Sequence, residues 1–189
     1  CKTIFNSERI LAVECVDILI ICVYLPCAST ADFKEILTEI ITDLEQICNN
    51  SDYSKIVIGG DFNCDLEVDS WFSRALHKFI KDNKLHVCNC VSEDSDECFT
   101  YCNEALGHFS HIDYFLVSDV LSNNILSSTI LNNALNCSDH MPITMQLDVP
   151  VSCINLPHSV DVSRPTDNFV YKLRYGITLT YWLIMKLLD

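Results

Sequence analysis

Lys55-Ile56-Val57-Ile58-Gly59-Gly60-Asp61-Phe62-Asn63 is the stretch on which the fold turns. Lys55 to Gly59 is short, apolar and β-branched, which predicts a buried strand. The two glycines let the backbone turn sharply and come close to a ligand. Asp61 and Asn63 are two apart, so in an extended segment both point to the same side. A carboxylate beside a neutral amide suits phosphate ester chemistry. The acid can take a proton or bind metal, and the amide can donate to a phosphate oxygen without adding repulsion. Taken alone, a β-turn explains Gly-Gly-Asp equally well.

Upstream, Glu8 to Leu25 is apolar and β-branched, broken by Glu14 and Asp17. It predicts two antiparallel strands joined by a tight turn near Cys15 to Asp17. The run is too short and too charged to span a membrane. Ser29 and Asp32 have the spacing of a capping box, with Asp in place of Glu. Phe33, Ile36, Leu37, Ile40, Ile41, Leu44 and Ile47 then follow helical spacing, and Asn49-Asn50 ends the helix. Downstream, Trp71, Phe72, Ala75, Leu76, Phe79 and Ile80 predict a second helix ending near Asn83. Leu85 to Val91 and Phe99 to Cys102 read as strands around an acidic loop. Ile112 to Val117, Ile125 to Leu131 and Pro142 to Val149 read as further strands. Strands alternating with two helices, several neighbours antiparallel, predict an α/β sandwich rather than a doubly wound parallel sheet.

A chain of 189 residues, 49 % hydrophobic and 20 % charged, suits one globular domain. It opens on Cys1 rather than Met, so a processed or cut chain is expected, and no signal peptide is legible. The twelve cysteines are scattered. Cys88, Cys90, Cys98 and Cys102 with His86 and His108 make a zinc site conceivable, but the spacing fits no common module. Reduced thiols packed as small hydrophobes are the plainer reading. A net charge of −14 argues against broad electrostatic attraction to nucleic acid. Residues 1–149 read as one domain and 150–189 as a linker followed by an apolar tail. In that tail Phe169 to Leu188 reads either as a fragment of a lost domain or as a membrane-surface helix.

Two more segments place acid-bearing residues at strand ends. In Ser110-His111-Ile112-Asp113-Tyr114-Phe115-Leu116-Val117, Asp113 lies inside an apolar strand, where an unpaired carboxylate is costly and needs a partner. In Ser138-Asp139-His140-Met141-Pro142-Ile143, an adjacent Asp-His pair can bind metal or orient an imidazole. A backbone-capped acid and a Ser-Asp turn are the structural alternatives. Together, Asp113 and His140 can form an orienting pair in which the carboxylate fixes the imidazole tautomer. Asp61 and Asp139 would add acidic ligands or a base.

In this order, Gly-Asp-Phe-Asn (60–63), Ile-Asp-Tyr-Phe-Leu-Val-Ser (112–118) and Ser-Asp-His-Met-Pro-Ile (138–143) resemble the last three motifs of the endonuclease/exonuclease/phosphatase superfamily. Val23-Tyr24-Leu25-Pro26 is similar to the strand-end tyrosine motif of the same family. The resemblance runs from Glu8 to Val149. It points to apurinic/apyrimidinic endonucleases and, through Phe99-Thr100-Tyr101 and the short spacing, to LINE-type retrotransposon endonucleases.

The resemblance implies a partial four-layer α/β sandwich with mostly antiparallel and mixed sheets, its site at one edge. It implies DNA nicking with Mg²⁺ or Mn²⁺. Carried across, Tyr24, Asp61, Asn63, Asp113 and His140 would be catalytic. Tyr24, Asn63 and His140 would contact the substrate, and Asp139 and Asp61 would hold the metal. The general base is left open between Asp61 and His140. A monomeric, intracellular protein is expected, the nucleus included, with DNA as partner, no membrane association and no secretion.

The family's early Asn and its metal-binding Glu have no counterpart before Tyr24. The N-terminal part is therefore expected to be missing, and activity is expected of the completed domain rather than of this chain alone. The acidic balance keeps a second function open within the superfamily, a phosphatase or sugar-phosphate phosphodiesterase. A non-catalytic remnant or interaction module is a third.

Overall fold

The computed structural model describes residues 1–15, 17–50, 53–92, 98–131, 136, 138–149 and 177–180. The strand read from Lys55 onward is β4 (Lys55–Asp61), and it runs through both glycines to the acid. Its neighbours are β3 (Ile18–Tyr24), parallel to it, and β9 (Asp113–Ser118), antiparallel. Outside these lie β2 (Ile10–Cys15) and β1 (Lys2–Asn6) on one side and β5 (Leu85–Val87) on the other. The parallel step needs a long crossover, and α1 (Phe33–Asn50) supplies it. β4 lies so close beside β3 that a Cβ built on Gly60 would stand 1.9 Å from the Val23 carbonyl oxygen. Only glycine fits at that approach.

The central strands β3, β4 and β9 are buried on both faces, and side-chain alternation sends their residues to two cores. Leu19, Ile21, Val23, Ile58 and Leu116 pack against Leu37 and Leu44 of α1 and against Leu76 and Phe79 of α2 (Trp71–Asp82). Ile18, Cys22, Val57, Phe115 and Val117 face the other way. They meet Ile130, Ile143, Met145 and Leu147 of a smaller sheet. That sheet orders β12 (Ile177–Thr180), β11 (Ile143–Leu147), β10 (Ile125–Ile130) and β6 (Val91–Ser92). Helix, sheet and sheet are the described layers of an α/β sandwich.

The helices fall where hydrophobic spacing puts them, but the capping differs from the reading. Asp32 has φ of 54° and Ser29 Oγ meets Cys27 Sγ, so Ser29 and Asp32 form no capping box. The box belongs to α2, where the Ser70 side chain accepts from Ser73 N and Ser73 answers at Ser70 N. The run Leu85 to Val91 is not one strand: β5 joins the larger sheet and β6 the smaller one. Phe99 to Cys102 becomes half of a hairpin, β7 (Tyr101–Asn103) and β8 (His108–Ser110), turned by a 3-10 segment and by Gly107 at φ 59°. A short helix, α3 (Asp119–Ser122), follows β9. Most of residues 150–189 lies outside the described residues, and 177–180 pair antiparallel with β11.

Cys1 and Cys15 are bridged, which departs from a chain of reduced thiols. Among the described residues no group of three Cys or His side chains gathers, so the zinc reading finds no support. Cys22, Cys64, Cys88 and Cys90 are buried as small apolar groups. No described helix is long and apolar enough to cross a membrane.

Candidate active site

Three neighbouring strands end at the same level. Tyr24 stands opposite Asp61, and Asp61 opposite Asp113. Residues directly opposite each other share a face of the sheet, and here it is the face turned toward the smaller sheet. The apolar core therefore stops at a rim of polar side chains. The smaller sheet adds His140 from the turn that precedes β11.

Asp113 is fully buried, and its partner is the imidazole. His140 Nδ1 lies 3.1 Å and 3.3 Å from the two Asp113 oxygens. With Nδ1 engaged, Nε2 is the nitrogen left for a ligand. The Tyr101 ring flanks the imidazole, with centroids 5.2 Å apart in an edge-on arrangement. The turn is also fixed from its own side: Ser138 Oγ accepts from His140 N, and Asn136 Nδ2 donates to His140 O.

Asp61 is 4 % exposed and sits beside that pair. Its Oδ1 accepts from Asn63 N at 2.7 Å and its Oδ2 from Asn63 Nδ2 at 3.0 Å. The same amide donates to Leu25 O at 2.9 Å, which ties the segment after β3 to the segment after β4. Asn63 takes φ of 48° to do this, a left-handed position that asparagine tolerates. Both amide hydrogens of Asn63 are thus directed inward, at Asp61 and Leu25.

Burial pushes the Asp61 carboxyl up to about 7, the Asp113 charge adds to the rise, and the Asn63 backbone bond opposes it. Burial alone would lower His140. The hydrogen bond and charge of Asp113, with Asp61 and Asp139 behind them, outweigh burial and raise it. Two buried carboxylates beside one imidazole leave negative charge in excess. A carboxyl raised by burial beside a second acid marks a candidate functional site. Asp61, Asp113 and His140 offer ligand atoms all within 4.8 Å of one another. Hard carboxylate oxygens of this kind fit Mg²⁺ or Mn²⁺. Asp139 adds its charge to both Asp61 and His140.

The structure thus brings Asp61, Asn63, Asp113 and His140 together, with Asp61 bonded to Asn63 and Asp113 to His140, Tyr24 next in the row and the Asp139 charge felt by both Asp61 and His140. One participant went unread as such. Thr100 is fully buried, and its Oγ1 accepts from both Ile112 N and Asp113 N at 3.0 Å. Its carbonyl accepts from Met141 N at 2.7 Å. One residue therefore fastens the Asp113 strand to the His140 turn. The only sign of this in the sequence is a threonine between aromatic residues at the entry to a strand.

This fold and site define a member of the endonuclease/exonuclease/phosphatase superfamily. The family model described as endonuclease-reverse transcriptase matches residues 18–144, and the chain belongs to that family. No curated protein matches it. Among solved structures it is similar to the 3′ phosphatase NExo from Neisseria bound to a product DNA hairpin, at 20 % identity and a TM-score of 0.60. That match covers 75 % of this chain and 65 % of the other, as does the one to the 3′-5′ exonuclease NExo from Neisseria meningitidis, at the same identity and TM-score. The endonuclease domain of TRAS1, a telomere-specific non-LTR retrotransposon, is similar at 14 % identity and a TM-score of 0.52, over 70 % of this chain and 57 % of that one. The chain thus spans less than two thirds of the length of these structures.

Proposed function

We propose that this chain forms the C-terminal portion, residues 1–149, of a metal-dependent domain that hydrolyses phosphodiester bonds in DNA. We propose further that it acts as a nicking endonuclease of retrotransposon type. The observation that carries the reading is the gathering of the bonded Asp113–His140 pair and the buried Asp61 within 4.8 Å of one another at one set of strand ends. The family membership and the DNA-bound neighbour support the substrate class.

Asp61, whose basicity burial raises, takes the proton from the attacking water. His140, held by Asp113 through Nδ1, presents Nε2 to a phosphoryl oxygen and stabilises the charge that develops there. Tyr24 contacts the same phosphate from the neighbouring strand end. Asn63 keeps Asp61 in place through its backbone N–H and its side-chain amide. Asp61 and Asp139 would hold Mg²⁺ or Mn²⁺, which when bound supplies positive charge to the phosphate oxygens.

Plasmid nicking in Mg²⁺ by the protein in its full reading frame tests this. Asp61→Ala and His140→Ala should each lower the rate by about 10²–10⁴-fold, the range for a proton-transfer or charge-stabilising group. Nicking that survives both substitutions overturns the reading. The net charge of −14 favours a second one, hydrolysis of small phosphate esters, because a duplex is repelled more than a small anion. Faster turnover of sugar phosphates than of abasic duplex would select it.

A further inference from the structure

The row of strand ends does not stop at Tyr24. Tyr24 N donates to Arg9 O at 2.9 Å, and the register continues from the Ile10–Val23 pair. Arg9, Tyr24, Asp61 and Asp113 therefore stand side by side on one face of the larger sheet. The Arg9 guanidinium lies 5.2 Å from the centroid of the Tyr24 ring, and its Nη1 donates to Tyr24 O at 3.4 Å.

No carboxylate pairs with Arg9 among the described residues. Lys55, Arg74 and Lys78 pair with Asp17, Asp69 and Asp82; of the described cations without such a pair, Arg9 is the one set beside Tyr24 in the row of strand ends. In a chain of net charge −14, a guanidinium at an acidic rim with no acid of its own is an unused cation. Arginine has five N–H donors in a fixed fork that matches phosphate oxygens. Its one hydrogen bond, to Tyr24 O, leaves most of that fork open, and the Tyr24 ring beneath fixes its direction.

We infer that Arg9 is a positioning residue that anchors a second phosphate of the bound strand, next to the one at Asp61. Neighbouring strands lie about 4.8 Å apart, so Arg9 is offset from Asp61 by roughly 10 Å at the backbone. Tyr24 stands between them. With Tyr24 at the reacting phosphate and the guanidinium laid over its ring, the open donors of Arg9 are left for a phosphate flanking the reacting one, which a polynucleotide has and a lone phosphate ester lacks. The inference rests on the phosphodiester reading above, and deepens it.

The test is fluorescence anisotropy with a fluorescein-labelled DNA duplex, at fixed Ca²⁺ and varied NaCl. Arg9→Ala should weaken binding about tenfold. It should also take about 0.9 from the slope of log K against log salt, the value for one phosphate contact. Arg9→Gln keeps the stem and its hydrogen bonding, so it should lose the same slope even where Arg9→Ala folds poorly. Arg9→Lys should keep the slope. A purely structural role for Arg9 would move affinity but not the slope. Wild-type affinity and slope in Arg9→Gln overturn the anchor and leave the phosphodiester reading standing, and a wild-type protein that binds no duplex also overturns it. Conversely, duplex binding that depends on Arg9 without any nicking sinks the phosphodiester reading and leaves the anchor.

Discussion

At the scale of single residues, Asp61 carries a tension between folding and chemistry. Its unfolded reference is 3.8 and its folded value is about 7, so the folded chain holds this proton more tightly. Stability from that source is fully present below about pH 4. It falls as pH rises, because the unfolded chain ionises first, and it levels off above about pH 7. An amide at this position escapes the penalty. In chelator, Asp61→Asn should therefore be more stable than the parent above pH 4, with a gain that grows to pH 7 and then stays flat. About one hydrogen bond to Asn63 is lost in exchange, which leaves a net gain of roughly 1–3 kcal/mol. Urea unfolding at pH 4, 5.5 and 7.5 measures it; equal stabilities at all three would show that Asp61 is not held as a strained acid. Residues of this kind were legible in the sequence because chemistry demands rare types in fixed order. Asp61, Asn63, Asp113 and His140 all meet. The inward commitment of the Asn63 amide was not legible, because it depends on the Leu25 carbonyl, which comes close only once β3 and β4 pair.

At the scale of elements, the site is two loops from different sheets fastened by Thr100. Thr100→Val keeps the shape but leaves Ile112 N and Asp113 N without their acceptor. A donor left unpaired in the interior costs about 1–3 kcal/mol, so with two of them the variant should lose roughly 2–6 kcal/mol. The Asp113–His140 geometry should loosen with it. Thermal unfolding reads the first effect, and the His140 imidazole shift in NMR across a pH titration reads the second. A valine variant of parental stability would remove Thr100 from this role. The elements themselves were largely legible. Period-3.6 patterns placed both helices, and apolar runs placed β3, β4, β9, β10 and β11. The failures have local causes. Ser29 and Asp32 had box spacing, but Asp32 takes a left-handed backbone that a box excludes. Leu85 to Val91 read as one strand because a hydrophobic run does not say which sheet each half joins. The β7–β8 hairpin was hidden because its polar turn and short arms lack alternation.

At the scale of the whole molecule, the two cores are the two faces of one sheet. Cys64 lies in the helix-side core, while Cys22, Cys88 and Cys90 lie between the sheets. Separating either core strips a face of β3, β4 and β9, so neither can be lost while the other persists. A domain of this size is expected to unfold in one cooperative step. The thiols report on it directly. Burial pushes Cys22 and Cys88 up to about 12 and Cys64 up to about 11, so native alkylation at pH 7.5 should be negligible at all three. Cys27 is exposed, and the Ser29 side chain and backbone hold its pKa below the ordinary thiol value. It should label first, before any denaturant is added. In a urea series with pulsed alkylation and peptide mass mapping, Cys22, Cys64 and Cys88 should then become reactive together, at one midpoint. If Cys64 opened at lower urea than Cys22 and Cys88, the helices would form a separate unit. The shared sheet would then fail to couple the two cores, and the strand ends that carry Tyr24, Asp61 and Asp113 would owe their alignment to the smaller sheet alone.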